Sequence, residues 1–189
     1  GVLTMGSTGG LSFNAGANGA ASMSFFGSAS NVNTALGSLL YIPNLHYNGS
    51  DTFTLTTHDF GSSGAGGQLN DVDTVAITVN AINDDPILVF PGSQSIDEDQ
   101  TLVFNGPNST TISISDVDSG GNDVLLDLST ISGRGSLMLA TTSGLTVSPG
   151  THAGAMQIEG TVAEINAAIN GLVYAPNTNF EGTVLLTLT

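Results

Sequence analysis

The strongest constraint on this 189-residue chain is that it matches itself. Gly1-Val2-Leu3-Thr4-Met5 lines up with Gly135-Ser136-Leu137-Met138-Leu139, and Gly10-Leu11 with Gly144-Leu145. After a one-residue gap, Met23 matches Met156, Gly27 matches Gly160 and Asn33 matches Asn166. Leu39-Leu40-Tyr41-Ile42-Pro43-Asn44 then matches Leu172-Val173-Tyr174-Ala175-Pro176-Asn177, and Thr54-Leu55-Thr56 matches Thr187-Leu188-Thr189. One offset shared by Gly, Pro, Tyr and Asn marks a duplicated structural unit, because each of these types has its own backbone or packing role. The offset predicts a repeat of about 133 residues, so the chain holds about 1.4 repeats, in the order X (1–56), Y (57–134), X′ (135–189). With a boundary near Asn83, residues 1–82 read as the C-terminal part of one repeat. Residues 83–189 then read as the N-terminal part of the next, lacking its last strand. A piece of a tandem array is the expected organisation.

The local patterns predict an all-β fold. Val75, Ile77 and Val79 alternate with Ala76 and Thr78, the period of a half-buried strand, over 74–80. Phe53/Leu55, Leu102/Phe104, Ile112/Ile114 in a strand 111–115, Leu137/Leu139 and Leu186/Leu188 repeat the pattern. Turn-forming clusters separate them at Gly61–Gly67, Asn105–Ser109 and Asp118–Asp123. One short helix is expected over 162–170. Thr161 and Glu164 have capping-box spacing there, and Ile165, Ile169 and Leu172 fall on one face. Its expected role is to plug one end of a β-sandwich. Apolar residues at 40% against 9% charged supply a core and argue against disorder.

Charge narrows the function classes. One Lys or Arg, Arg134, faces 16 Asp and Glu, for a net charge of −15. Electrostatic binding to nucleic acid or anionic lipid is excluded, since both need basic groups against phosphate. No apolar run approaches a membrane span, and the absence of Cys excludes disulfides and thiolate metal sites. Eleven of the 16 acids lie within residues 71–127. Carboxylates crowded without cationic partners repel unless they stay solvated or share a cation, and hard oxygen donors at this density suit Ca²⁺. Three patterns sharpen this reading: Asn83-Asp84-Asp85-Pro86 after the strand 74–80, Asp97-Glu98-Asp99, and Asp116-Val117-Asp118 at the end of the strand 111–115. Side chains two apart on a strand share a face, so Asp116 and Asp118 are expected to project together.

A strand, then N-D-x-P, then E-D about a dozen residues on, then D-x-D at a strand end resembles the cadherin repeat. The G-x-L-x-L at Gly135–Leu139, G-T-x-x-x-I-N-x-A at Gly160–Ala168 and L-x-Y-x-P-N-x-x-F-x-G at Leu172–Gly182 look like the long cadherin-like repeats of bacterial giant adhesins and RTX-type surface proteins. The resemblance covers nearly the whole chain. It implies tandem cadherin-like, Ig-like β-sandwich repeats, each with one short helix, and calcium between successive domains. Asn83 and Asp84 match the linker N-D, Glu98 the early Glu, and Asp116 and Asp118 the D-x-D pair. Asp85 stands where cadherins usually have Asn. Ala81 replaces a linker Asp, and no D-R-E motif is present, so one or two ions are expected rather than three. Asp97 and Asp99 flank Glu98, and Asp71 and Asp73 stand ready on the first domain's side.

Catalytic constellations are poor. His46, His58 and His152 are scattered, and His46 aligns with Asn179, so no imidazole is duplicated with the repeat. There is no G-x-S-x-G elbow and no phosphate loop with its Lys. The expected function is non-enzymatic: a calcium-stiffened structural repeat of a large extracellular bacterial adhesin or surface fibre. Its expected partners are neighbouring repeats of the same protein, with other copies in a fibre and surface glycans as further candidates. Two alternatives stay open at this point. One is a calcium-dependent carbohydrate-binding module, which would need exposed aromatics; the other is a filament subunit assembling by strand donation.

Overall fold

Strands joined by glycine-rich turns, with two short helices, account for the regular structure of the computed structural model, which describes residues 1–61, 65–130, 133–149 and 152–189. Within the turn cluster Gly61–Gly67, residues 62–64 lie outside the described residues. The all-β class expected from the alternating patterns is what the chain adopts. It divides into two units, Gly1–Ile82 and Asn83–Thr189.

Unit 1 contains β1 (Val2–Met5), β2 (Leu11–Ala15), β3 (Ser24–Gly27), α1 (Ala29–Leu36), β4 (Leu39–Ile42), β5 (Gly49–His58) and β6 (Asn70–Val79). They form three antiparallel pairs, β1 with β4, β2 with β3, and β5 with β6. Strand β6 starts four residues earlier than the alternating pattern suggests. Its polar first half, Asn70 to Thr74, pairs with β5 from His58 to Thr54 through backbone bonds that need no apolar side chains. Ile77 and Val79 are half-buried as expected, whereas Val75 is 56% exposed.

Unit 2 contains β7 (Ile87–Val89), β8 (Leu102–Phe104), β9 (Ser113–Ser115), β10 (Asp123–Thr130), β11 (Gly135–Met138), β12 (Thr146–Ser148), β13 (His152–Ala153), β14 (Ala155–Thr161), α2 (Val162–Ile169), β15 (Leu172–Pro176) and β16 (Leu186–Leu188). Two four-stranded antiparallel sheets result, ordered β12-β14-β10-β16 and β13-β11-β15-β8, with β7 and β9 paired beside them. Leu126, Leu128, Met156, Ile158 and Leu188 from the first sheet meet Phe104, Leu137, Leu172 and Tyr174 from the second in one buried cluster. Helix α2 adds Ile165, Ala168 and Ile169, so the expected plug is a core element. Leu172, expected on the helix face, is buried from β15 instead. Strand β9 is shorter than the expected 111–115. Thr110 turns its hydroxyl back onto the Val103 carbonyl (2.8 Å) and accepts the Asn105 N–H (3.1 Å), which bends the chain just before it.

The sequence repeat is repeated in the pairing. Leu3 faces Tyr41 in β1–β4, and Leu137 faces Tyr174 in β11–β15. Phe13 faces Phe25 in β2–β3, and Val147 faces Ile158 in β12–β14. The helices start alike: the Ser28 hydroxyl accepts the Asn31 N–H, and the Thr161 hydroxyl accepts the Glu164 N–H. A Cβ on Gly1 would strike the Tyr41 ring and the Ile42 carbonyl, and one on Gly135 the Tyr174 ring and the Ala175 carbonyl. Backbone and aromatic ring approach too closely at both places for anything but glycine.

Equivalent residues nevertheless differ in burial. Leu172 is fully buried, while its match Leu39 is only half-buried. Leu172→Ala is therefore expected to cost unit 2 about 2–5 kcal/mol, as for a leucine removed from a closed core. The same change at Leu39 is expected to cost unit 1 about 1 kcal/mol or less. Denaturant unfolding of the two variants checks this, and equal losses would contradict it.

Candidate functional site

The N-D-x-P segment leads directly into β7, which pairs with β9 from Ile87–Ser115 to Val89–Ser113. That pairing brings the start of unit 2 to the end of β9, where the D-x-D lies. The Asp84 N–H donates to Asp118 Oδ2 (2.8 Å), across 34 residues of sequence. Asp116 Oδ1 accepts the N–H groups of Asp118 (3.1 Å) and Ser119 (3.0 Å), an Asx turn that fixes the chain just past the strand. Asp84, Asp116 and Asp118 are half-buried, while Val117 between the last two is exposed. The Asn83 side chain donates to the Asp84 carbonyl (3.2 Å), and Asp85 is exposed.

The other acidic candidates go elsewhere. Asp97, Glu98 and Asp99 lie on an exposed irregular stretch before β8. Asp99 has a left-handed backbone, and its carboxylate accepts the Asn179 N–H (2.9 Å). Asp97 and Glu98 line a cleft of about 1030 Å³ together with Phe90, Leu102, Tyr174 and Phe180. Asp71 and Asp73 are exposed on β6 of unit 1, opposite Thr57 and Leu55. Among the described residues, no three of His, Asp and Glu converge closely enough to enclose a cation. What is brought together is the Asp84 backbone with the Asp118 carboxylate, and the Asp116 carboxylate with the Asp118 and Ser119 backbone; Glu98 lies in the cleft instead. The D-x-D acids offer hard carboxylate oxygens, and one oxygen of each is not used by these backbone bonds.

The one basic side chain is committed elsewhere. The Arg134 guanidinium lies 5.5 Å from the Phe180 ring centroid and donates to the Thr183 carbonyl (3.0 Å). The Tyr174 hydroxyl donates to the Arg134 carbonyl (2.8 Å), and burial raises its pKa. His46 and its match Asn179 share a left-handed turn, with φ of 57° and 55°. Asn is among the few non-glycine residues that take this backbone readily, which accounts for its standing at the matched position.

Two polar features escape the sequence patterns. Tyr41 donates its hydroxyl to Asp51 Oδ2 (2.6 Å) in unit 1; that bond pushes the tyrosine up to about 12 and holds the carboxylate below its ordinary range. In unit 2 the Asn166 side chain makes both backbone bonds a strand neighbour would make to Ile114, accepting its N–H (2.9 Å) and donating to its carbonyl (2.8 Å). No protein-family model, curated protein or solved structure matches the chain.

Glu164 closes the capping box, accepting the Thr161 hydroxyl (2.7 Å) and N–H (3.0 Å), and these bonds lower its pKa. A carboxylate whose folded pKa lies below its unfolded one adds stability that is full above the ordinary Glu range and is lost as pH falls through the lowered value. The stability difference between the native chain and Glu164→Gln is therefore expected to be largest near neutral pH. It is expected to shrink steadily below about pH 4. Urea midpoints across pH measure it, and a pH-independent difference would contradict the assignment.

Proposed function

We propose that this chain is a calcium-binding structural repeat segment of a large extracellular bacterial adhesin or surface fibre, built from cadherin-like β-sandwich repeats. The observation that carries the reading is the Asp84–Asp118 bond, which joins the N-D-x-P segment to the D-x-D strand end. The cadherin resemblance implies that pairing of motifs. The duplicated register of β1–β4 and β11–β15 supports a tandem-array origin. The ligands proposed are Asp84, Asp116 and Asp118, drawn together by the ion, with Asn83 and Asp85 beside them. Asp97, Glu98 and Asp99 of unit 2, and Asp71 and Asp73 of unit 1, are no part of this grouping.

The physical effect is neutralisation. At net charge −15, with one basic side chain, the acids at 83–85 and 116–118 repel each other when no cation is present. A divalent ion turns the repulsion into a tie between the segment entering unit 2 and the end of β9. Calorimetry is expected to give a Ca²⁺ dissociation constant of about 10⁻⁴–10⁻³ M, the range of extracellular modules. Ca²⁺ is expected to raise the melting temperature and chelator to lower it. Asp116→Asn with Asp118→Asn is expected to abolish both effects, and Mg²⁺ to substitute poorly. A melting temperature indifferent to Ca²⁺ and chelator would overturn the reading.

A second reading is favoured by the cleft. Phe90 and Phe180 beside Asp97 and Glu98 offer rings and carboxylates together, the composition of a sugar-binding groove. Glycan-array binding that is lost in Phe180→Ala would establish it; an empty array would dismiss it.

A further inference from the structure

Asn is followed directly by Gly at four places: Asn18-Gly19, Asn48-Gly49, Asn105-Gly106 and Asn170-Gly171. Such a pair can modify itself. Glycine has no Cβ to shield its backbone nitrogen, so that nitrogen can reach the Asn side-chain carbonyl carbon. A C–N bond forms, and the Asn amide nitrogen leaves as ammonia, taking up the proton that the Gly nitrogen gives up. Water then opens the resulting succinimide ring, at one carbonyl to aspartate and at the other to isoaspartate. The reaction needs a mobile Asn amide and a Gly N–H released from hydrogen bonding.

Three of the four pairs are held against it. The Asn18 side chain accepts the Met5 N–H (2.7 Å) and donates to its carbonyl (2.8 Å), and the Gly19 N–H donates to the Leu3 carbonyl (3.0 Å). Asn105 Oδ1 accepts the Asn108 N–H (3.0 Å), capping the short helix Gly106–Asn108. The Gly171 N–H donates to the Phe104 carbonyl (2.7 Å), and the Asn170 N–H to the Asn166 carbonyl (3.0 Å) at the end of α2. Asn48 differs. It is exposed, and its side-chain amide has no hydrogen-bond partner among the described residues. The Tyr47 hydroxyl donates past it to the Ser50 carbonyl (2.6 Å). Gly49 stands at the first rung of the β5–β6 ladder, opposite Val79, where paired strands fray.

We infer that Asn48 is a self-modification site, converting to aspartate and isoaspartate in the folded protein far faster than the other three pairs. The fold accommodates the aspartate product. The repeat sets Glu181-Gly182 against Asn48-Gly49, so the second copy already carries a carboxylate at this turn. Gly49 and Gly182 also share one backbone conformation, with φ of 126° and 127°. Aspartate adds one negative charge to a chain at −15. Isoaspartate does more, because it inserts a methylene into the backbone directly before β5. The rungs it loosens are the first two of the ladder, Gly49–Val79 and Ser50–Thr78.

The test ages the full chain at mildly alkaline pH and body temperature and follows each pair by peptide mapping with mass detection. Chymotrypsin suits the mapping, since it cuts after Tyr47 and Phe53, whereas the single Arg gives trypsin one site. Asn48 is expected to gain the mass of amide-to-acid conversion about tenfold or more faster than Asn18, Asn105 and Asn170, the protection that one hydrogen bond gives. Labelling by isoaspartyl methyltransferase is expected on the same peptide and is expected to vanish in Asn48→Gln. In urea the four rates are expected to fall within a few-fold of one another, because the protecting bonds are gone. Conversion of Asn48 no faster than that of the other three in the folded chain would overturn the inference. So would an excess at Asn48 that persists undiminished in urea, since the fold would not then be its cause.

Discussion

Unit 2 depends on one constraint: a strand in the middle of a sheet must have both edges paired and its apolar face covered. Strand β10 meets it. It pairs with β14 from Asp123–Thr161 to Ser129–Ala155 and with β16 at Leu128–Leu188, and it turns Leu126 and Leu128 into the core. The second sheet and α2 then close over the same residues. Every buried side-chain polar atom among the described residues has a partner. At its other end β10 follows the Asp118 turn, so the acidic motif sits where the chain enters the core rather than on a free loop.

Unit 1 shows the same building blocks without that central strand. Among its described residues the fully buried apolar side chains are Met5 and Ala35, and the others are half-buried or, like Leu45 and Ile82, exposed. Local structure survives regardless. The Ser28 cap, the β1–β4 register and the left-handed turn at His46 are held by short-range bonds and backbone geometry, which need no distant strand. Asn18 adds to them, accepting the Met5 N–H (2.7 Å) and donating to its carbonyl (2.8 Å) along the outer side of β1.

Much of this was legible in the sequence, for identifiable reasons. The internal match fixes equivalent positions because Gly1/Gly135 and Tyr41/Tyr174 are steric partners within each copy. The Thr161–Glu164 spacing locates α2 because capping is local. The D-x-D acids lie beyond the end of β9, in the turn where Asp116 accepts the Asp118 N–H, so the strand period that grouped them does not apply there. What the sequence does not carry is pairing over distance. Nothing in the pattern tells that Asn166 reaches Ile114 or that Tyr41 reaches Asp51, since a single Asn or Tyr has no periodicity. Glu98 is a similar case: its place in the acidic run suggested company with Asp116, but the segment from Gly92 to Asp99 forms no strand and takes it to the Phe180 cleft. The polar half of β6 has no alternation to read, and only its partner β5 defines it.

The central claim is that two copies of one module sit in one chain, closed in unit 2 and open in unit 1. Residue-resolved amide hydrogen exchange on the full chain tests it most directly. The account expects amides of β14 and β15 to exchange more slowly than their matches in β3 and β4 by about a hundredfold or more, because closing the core raises the free energy of local opening. Equal protection at the matched positions would contradict it.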